Sequence, residues 1–194
     1  MRYPILLGLA ALATTPVAAQ EAAPAPQTAP AQPSPALTGP AQPVSAPACP
    51  VTPVPLPAGL EGWVVSDPVT AAVTPADLAR AQIVIGQRAD VQLAPAASVT
   101  YAVPPARPPG ADTHGGMLGF TIQAPGTYRI ALNAAAWIDV LHEGKPAVAA
   151  AHGHGQPCSS IRKTLDFALT PGHYVLQVVG NAKPTLALMV AHAS

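Results

Sequence analysis

Alternation of apolar and polar residues dominates the second half of the chain and predicts β-strands. A strand with one buried face carries apolar side chains at every second position. Segments such as YRIAL at 128–132 and YVLQVV at 174–179 follow this pattern and are bounded by turn residues. We predict nine short strands, at 90–93, 98–103, 117–123, 128–132, 137–142, 147–151, 164–169, 174–179 and 185–190. A Pro/Gly-rich loop is expected at 106–116 and a turn at 143–145.

One short helix is predicted before these strands, at 74–80. Thr74 has the side chain of an N-cap, Pro75 suits the first helical position, and Asp77 favours the positive end of the helix dipole. Many short strands and so little helix indicate an all-β fold. The predicted fold is an antiparallel β-sandwich, jelly-roll-like, with a short N-terminal helix and a disordered Pro/Ala-rich tail.

One motif occurs twice: a Phe-containing strand, then Pro-Gly, one variable residue and Tyr. Pro fixes φ at the first turn position, and Gly accepts the positive φ expected at the second. Each Tyr is expected to bury its ring while its hydroxyl bonds a nearby backbone group, as in a tyrosine corner. The predicted turn residues are Pro125, Gly126 and Tyr128 in the first copy, and Pro171, Gly172 and Tyr174 in the second.

The first 19 residues have the features of a cleavable secretory signal. Arg2 precedes the apolar run at 5–13, and Val17-Ala18-Ala19 places small residues before a predicted cut at Gln20. The alternative is a membrane anchor, but the run is shorter than the roughly 20 residues that span a bilayer. We therefore expect a periplasmic or secreted protein without a transmembrane segment in the mature chain.

Pro, Ala, Gln, Ser and Thr dominate residues 20–57, which are predicted to be a disordered tether. A Pro-rich recognition ligand is the alternative for this stretch. Denser apolar patterning starts near residue 58, so the predicted domain is 58–194. The net charge is zero and only 9% of residues are charged, which gives nucleic-acid binding no electrostatic support. The expected partner is an unidentified protein or an envelope polysaccharide.

The only two cysteines are Cys49 and Cys158. In an oxidising compartment such a pair most simply forms a disulfide, which would fasten the tether to the domain. The alternative is a free thiol near the His-rich loop.

The only cluster with metal-binding chemistry is His152-Gly153-His154. Residues i and i+2 of a strand share a face, so the two imidazoles can meet at one ion, and Zn, Cu or Fe would suit them. A third ligand is needed. The candidates are His114, His142, Asp139 and, if reduced, Cys158. The alternative is a Gly-rich surface loop.

Three further groups carry weaker hypotheses. Ser159-Ser160 lies near His154, but no nucleophile elbow accompanies it. Arg162-Lys163, together with Arg129, has the charge to bind an anion, with a solvated strand end as the alternative. Trp63 and Trp137 have rings that can stack on a sugar; we expect Trp137 to be buried in its strand and leave Trp63 open.

The motifs PGTYRIAL, AWIDVLHEGK and DFALTPGHYVLQV resemble the bacterial pre-peptidase C-terminal domain over 126–190. That resemblance implies a non-catalytic accessory or binding role. The whole chain is also similar to short exported bacterial proteins, some of which are labelled homogentisate 1,2-dioxygenase. This label implies an iron held by two His and a Glu. The glutamates are Glu21, Glu61 and Glu143, and no His-plus-Glu motif can be placed by spacing.

The sequence therefore predicts an exported, non-catalytic β-sandwich that acts as a binding or envelope-interaction module. The alternative is a small metal-binding protein or metalloenzyme that uses His152 and His154.

Overall fold

The computed structural model describes Cys49 and residues 55–193, and these residues form mainly strands. The predicted signal, and the tether except Cys49 and residues 55–57, lie outside the described residues. Three short 3₁₀ helices are present, at Glu61–Val64, Pro75–Arg80 and Ala96–Ser98. The strands are β1 Ser66–Thr70, β2 Arg88–Gln92, β3 Ala94–Pro95, β4 His114–Ile122, β5 Gly126–Leu132, β6 Trp137–His142, β7 Lys145–Pro146, β8 Ala151–Gly153, β9 Lys163–Leu169, β10 Gly172–Asn181 and β11 Thr185–His192.

The strands form two sheets, which confirms the predicted all-β sandwich. The six-stranded sheet has the order β1-β2-β11-β5-β9-β8, and the five-stranded sheet has the order β3-β4-β10-β6-β7. Within them, β2-β11-β5-β9 and β4-β10-β6-β7 have the strand order of a jelly roll. The pairing is antiparallel except between β1 and β2, which run parallel.

The main hydrophobic core lies between the sheets, and a second, smaller cluster lies apart from it. Successive side chains of a strand point to opposite faces, so one strand can contribute to both. On β11, Leu186, Leu188 and Val190 point into the main core. Ala187, Met189 and Ala191 belong to the second cluster, which covers the outer face of the six-stranded sheet. Ala131, Ile161, and Leu60 and Trp63 from the N-terminal segment complete that cluster.

Trp63, which the sequence left open, is the large side chain of this second cluster and is 3% exposed. Its Nε1 donates to Ser160 Oγ at 3.0 Å. The Cys49–Cys158 disulfide, with a Cα–Cα distance of 5.5 Å, joins the chain that precedes this segment to the loop that carries Ser160. The segment that enters the domain is therefore held by apolar packing, by a hydrogen bond and by a covalent link.

The two Pro-Gly-x-Tyr motifs lie where the chain passes from one sheet to the other. The first connects β4 to β5, and the second connects β9 to β10. Tyr128 donates to the carbonyl oxygen of Ala124 at 2.9 Å. Tyr174 donates to the carbonyl oxygen of Thr170 at 2.9 Å and accepts from its N–H at 3.1 Å. Each hydroxyl thus ties the new strand to the corner before it.

The predicted conformation of the corner glycines is wrong at Gly126, which does not have positive φ; only Gly172 does, at 151°. Both glycines begin strands. A Cβ on Gly126 would lie 2.6 Å from His192 Nε2, and one on Gly172 would lie 2.6 Å from His142 Nε2. A side chain at either position would displace the imidazole that packs against the backbone from the neighbouring strand.

Two predicted strands are wrong. Residues 98–103 form no ladder with another strand, although Tyr101 and Val103 are half-buried and their neighbours exposed, as the alternation suggested. Residues 147–150 leave the five-stranded sheet after β7 and reach the six-stranded sheet at β8. Because this segment crosses from one sheet to the other, it cannot form one continuous strand paired within a single sheet. Four strands were missed. Pro68 obscures β1, an edge strand, and the other three are short: β3 and β7 have two residues each and β8 has three.

The predicted helix is a 3₁₀ helix, Pro75–Arg80, with Pro75 at its start. Thr74 does not cap it through its side chain. The Thr74 hydroxyl donates instead to the Asp77 carboxylate at 2.7 Å. The expected loop at 106–116 ends earlier than predicted, because β4 begins at His114.

Candidate functional site

The outer face of the five-stranded sheet is crossed by residues 99–113, here called the covering loop. The Tyr101 hydroxyl donates to the carbonyl oxygen of Val178 at 3.0 Å. Gln177, which is fully buried, bonds both the N–H and the C=O of Val103 through its side-chain amide, each at 3.2 Å. Because this amide pairs with the backbone as a neighbouring strand would, Val103 satisfies both of its backbone groups without joining a sheet.

Asp139 fixes the next part of the covering loop. Its Oδ2 accepts from the N–H of Ala106 at 3.2 Å, and its Oδ1 accepts from Trp137 Nε1 at 2.8 Å. The carboxylate is 8% exposed, and two donors satisfy it. Burial raises the pKa of Tyr101 to about 12, and the nearby negative charge of Asp139 adds to that rise.

Trp137 is 38% exposed, so the expectation that it is buried is wrong. Within β6, Ile138 and Val140 face the core, which leaves Trp137 and Asp139 on the outer face. The hydrogen bond to Asp139 holds the indole in place. Lys163 Nζ lies 5.7 Å from the centroid of the ring. The structure thus presents a fixed, partly exposed aromatic ring next to a cation.

Two adjoining pockets lie beside Trp137, at the end of the sandwich where β6 and β9 begin. Their volumes are about 330 Å³ and 450 Å³, and both are lined by Ala135 and Gly180. Trp137 and Arg107 line the first pocket. Arg162 and Lys183 line the second, together with Asn133 and Asn181.

Three cations line these pockets, Arg107, Arg162 and Lys183, and a fourth, Lys163, lies beside Trp137; the four are here called the cationic cluster. The three ion pairs among the described residues use other arginines, in Arg80–Asp77, Arg88–Asp90 and Arg129–Asp166. The cluster therefore has no carboxylate ion-paired to it in the part of the chain that the structure describes.

Arg129 was expected to share an anion with Arg162 and Lys163, but the structure gives it another partner. Arg129 Nε and Nη2 donate to the two carboxylate oxygens of Asp166, each at 2.7 Å. This bidentate hydrogen bond raises the pKa of Arg129, and its positive charge is paired with Asp166.

The backbone that carries the cationic cluster is anchored at each member. The N–H of Arg162 donates to the carbonyl of Leu132 at 2.7 Å, and Lys163 begins β9. Asn181 Nδ2 donates to the carbonyl of Lys183 at 2.7 Å. Arg107 directly follows Ala106, whose N–H donates to the Asp139 carboxylate. The four side chains thus extend from fixed backbone positions.

Mutual repulsion acts within the cluster. Burial lowers the pKa of Lys163, and the positive charge of Arg107 lowers it further. Lys163 Nζ also donates to the carbonyl of Ala136 at 3.1 Å, which places it at the edge of the pockets. A bound anion would relieve this repulsion.

A larger cleft, about 650 Å³, lies elsewhere, on the outer face of the six-stranded sheet. It is lined by Arg88, Asp90, Gln92 and Ser160, among others. Its charges are paired with each other, because Arg88 Nε and Nη2 donate to Asp90 at 2.9 and 3.0 Å. We favour the Trp137 pockets because their charges are uncommitted and an aromatic ring is partly exposed there.

The structure separates the four histidines of the predicted metal site. His114 and His142 lie opposite Asn181 and Tyr174, at the two ends of β10, which places them roughly 20 Å apart. His142 stacks on Tyr174, with ring centroids 4.5 Å apart. His114 has a buried Nδ1 without a hydrogen-bond partner among the described residues.

His152 and His154 are exposed, with His152 on the edge strand β8 of the other sheet. Of the remaining candidate ligands, Cys158 is in the disulfide and Asp139 lies under Trp137. No group of three or more His, Cys, Asp or Glu side chains is placed to hold a metal ion in the described part of the chain. Metal binding by the exposed pair, with Zn, Cu or Fe, stays a prediction.

Both serines next to the disulfide have structural partners. Ser159 Oγ donates to the carbonyl of Gln156 at 2.6 Å and accepts from the N–H of Ile161 at 3.3 Å. Ser160 Oγ accepts from Trp63. These contacts anchor the loop after Cys158.

Sequence reasoning missed Arg107 and Lys183. One signal was available for Trp137, because it shares strand parity with Asp139, and a carboxylate marks the outward face of a strand. No family model and no curated protein matches this sequence. Among the described residues, none of the helices is both long and apolar enough to cross a membrane.

Proposed function

We propose that this protein is an exported, non-catalytic β-sandwich module that binds a saccharide of the cell envelope. The observation that carries the proposal is Trp137, a partly exposed indole that Asp139 holds in place beside two pockets. Binding sites combine aromatic surface with a few fixed polar groups, and a rigid indole offers a flat apolar face to the C–H groups of a sugar ring.

Polar groups around the indole suit hydroxyl-rich ligands. Arg107 and Thr113 line the pocket with Trp137, and Arg162, Lys183 and the exposed Asn133 line its neighbour. The predicted signal and tether support a role outside the cytoplasm, and the Cys49–Cys158 disulfide is compatible with an oxidising compartment. Both serine hydroxyls suggested for hydrolysis are engaged in local contacts.

Binding can be tested with the mature chain and a panel of insoluble and soluble envelope polysaccharides. Trp137→Ala should weaken binding to the retained polysaccharide by about tenfold or more, since hot-spot aromatics carry much of the binding free energy. Val148→Ala is the matched surface control, because Val148 is 88% exposed and lies away from the pockets.

Three outcomes would overturn the proposal. The first is the absence of binding to every polysaccharide tested. The second is binding that Trp137→Ala leaves unchanged. The third is turnover of a substrate that disappears when His152 and His154 are both replaced by Ala, which would favour the metalloenzyme hypothesis.

A further inference from the structure

We infer that the saccharide bound at Trp137 is acidic, and that its negative groups pair with the cationic cluster. This inference rests on the proposed function and specifies its ligand. Arg107 and Trp137 line one pocket, and Arg162 and Lys183 line the pocket that adjoins it. A sugar ring lying against the indole would therefore have its acidic groups beside several cations.

The first argument is the imbalance of charge. The mature chain is nearly neutral, yet four cations without a carboxylate partner among the described residues meet at one end of the sandwich. Asp139 is the acid nearest to Trp137, and its two oxygens are taken up by Trp137 and Ala106. The local excess of positive charge is thus available to a ligand.

The second argument is preorganisation. Each cation extends from backbone that a hydrogen bond or a strand fixes, as with Arg162 on Leu132 and Lys183 on Asn181. Placing like charges together costs free energy in the unliganded protein, as the repulsion between Lys163 and Arg107 shows. A ligand with negative groups regains that cost on binding.

The shape of the surface favours a saccharide over a membrane or a nucleic acid. The cations surround concave pockets, and the other large exposed apolar side chains (Val64, Val65, Val84 and Val148) line neither of them. Binding to a bilayer surface uses apolar side chains that enter it. Binding to single-stranded nucleic acid uses several stacking aromatics, and only one lies here.

The test compares oligogalacturonate with the same oligosaccharide after methyl esterification, which keeps the sugar and removes the charge. Affinity is measured by calorimetry on the mature chain. We expect the acid form to bind at least about tenfold more tightly, and to lose about fivefold in affinity between low and high salt, because salt screens exposed charges. A sulfated oligosaccharide that meets both criteria against its desulfated form would support the inference equally.

The variants Arg107→Gln, Arg162→Gln and Lys183→Gln should each weaken binding of the acid form by about two- to fivefold, the range for exposed ion pairs. All three side chains are exposed, so the fold should tolerate them. Lys145→Gln is the matched control, since Lys145 is exposed on β7, beyond the opposite end of β6 from Trp137. It should leave the affinity unchanged.

Different failures are distinguishable. Equal affinity for acid and esterified forms, with binding still lost in Trp137→Ala, overturns the acidic ligand and leaves the proposed function standing. No binding of any saccharide overturns both. Binding to phosphatidylglycerol vesicles or to single-stranded DNA that depends on the three cations, without saccharide binding, assigns the cluster to another ligand and also overturns the inference.

Discussion

Gln177→Met tests whether one buried amide holds the covering loop on the sheet. Gln177 is fully buried, and its side chain makes two hydrogen bonds to the backbone of Val103, each at 3.2 Å. Methionine is of similar length and unbranched, so the main change is the loss of both bonds. The N–H and C=O of Val103 then lose their partners.

The expected loss of unfolding free energy is about 2 kcal/mol, at about 1 kcal/mol for each net hydrogen bond. Val103 is half-buried, so water can reach part of the freed backbone, and the loss should stay near this value. With a urea slope of about 2 kcal/mol/M, the unfolding midpoint should fall by about 1 M. Unfolding is followed by tryptophan fluorescence, with Gln123→Met as an exposed control that should shift the midpoint little.

Hydrogen exchange gives the second measurement, because the amides of Val103 and Ala106 should lose protection before the strand amides do. Affinity for the saccharide should also fall, since the loop carries Arg107 to the pocket. A midpoint within about 0.2 M of the wild type, with unchanged exchange at Val103, would refute the role given to Gln177.

Three further predictions concern the corners, the covering loop and the disulfide. Tyr174→Phe should cost about 2 kcal/mol and Tyr128→Phe about 1 kcal/mol in urea unfolding, because the Tyr174 hydroxyl makes two backbone bonds and that of Tyr128 makes one; equal losses would contradict this count. Tyr101 should ionise near pH 12 in an ultraviolet titration, and Tyr101→Phe should remove that step. Because the pKa of Tyr101 is raised from 10.0, the contribution of its neutral form to the unfolding free energy is fully present below pH 10 and is lost as the pH approaches 12. Tyr101→Phe should abolish this dependence on pH. Replacing Cys49 and Cys158 by Ser should lower the unfolding free energy by about 4–5 kcal/mol, as expected for a link between residues 109 apart; a loss below about 1 kcal/mol would show that the bridge adds little.

The fold was predictable wherever segments with alternating apolar and polar residues also pair with neighbouring strands. Strands β5, β6, β9, β10 and β11 all carry apolar residues at every second position, because one face of each lies in the main core. Alternation also marked residues 98–103, where it reports half-burial correctly but not strand pairing. There the partner of Val103 is a side chain, Gln177, and no local pattern identifies it.

The site was less predictable because its members come from separate parts of the chain. Arg107 and Lys163 meet only after the covering loop has crossed the five-stranded sheet. Charge alone pointed to Arg129, yet Asp166 on the neighbouring strand engages it. Whether a cationic side chain is ion-paired with a carboxylate on the neighbouring strand depends on strand register, which the sequence does not specify.

The two ends of the sandwich differ in a way that explains where binding belongs. At one end, the tyrosine corners close the crossings between sheets, and an imidazole packs beside each Tyr: His142 with Tyr174, and His192 with Tyr128. At the other end lie the starts of β6 and β9, the loop after β10 and part of the covering loop, which together carry Trp137 and the cationic cluster. Loops on a rigid scaffold can change without disturbing the core. Substitutions at the tyrosine corners should therefore lower stability with little effect on the affinity of the folded protein. Substitutions of exposed residues at the Trp137 end should lower the affinity with little effect on stability.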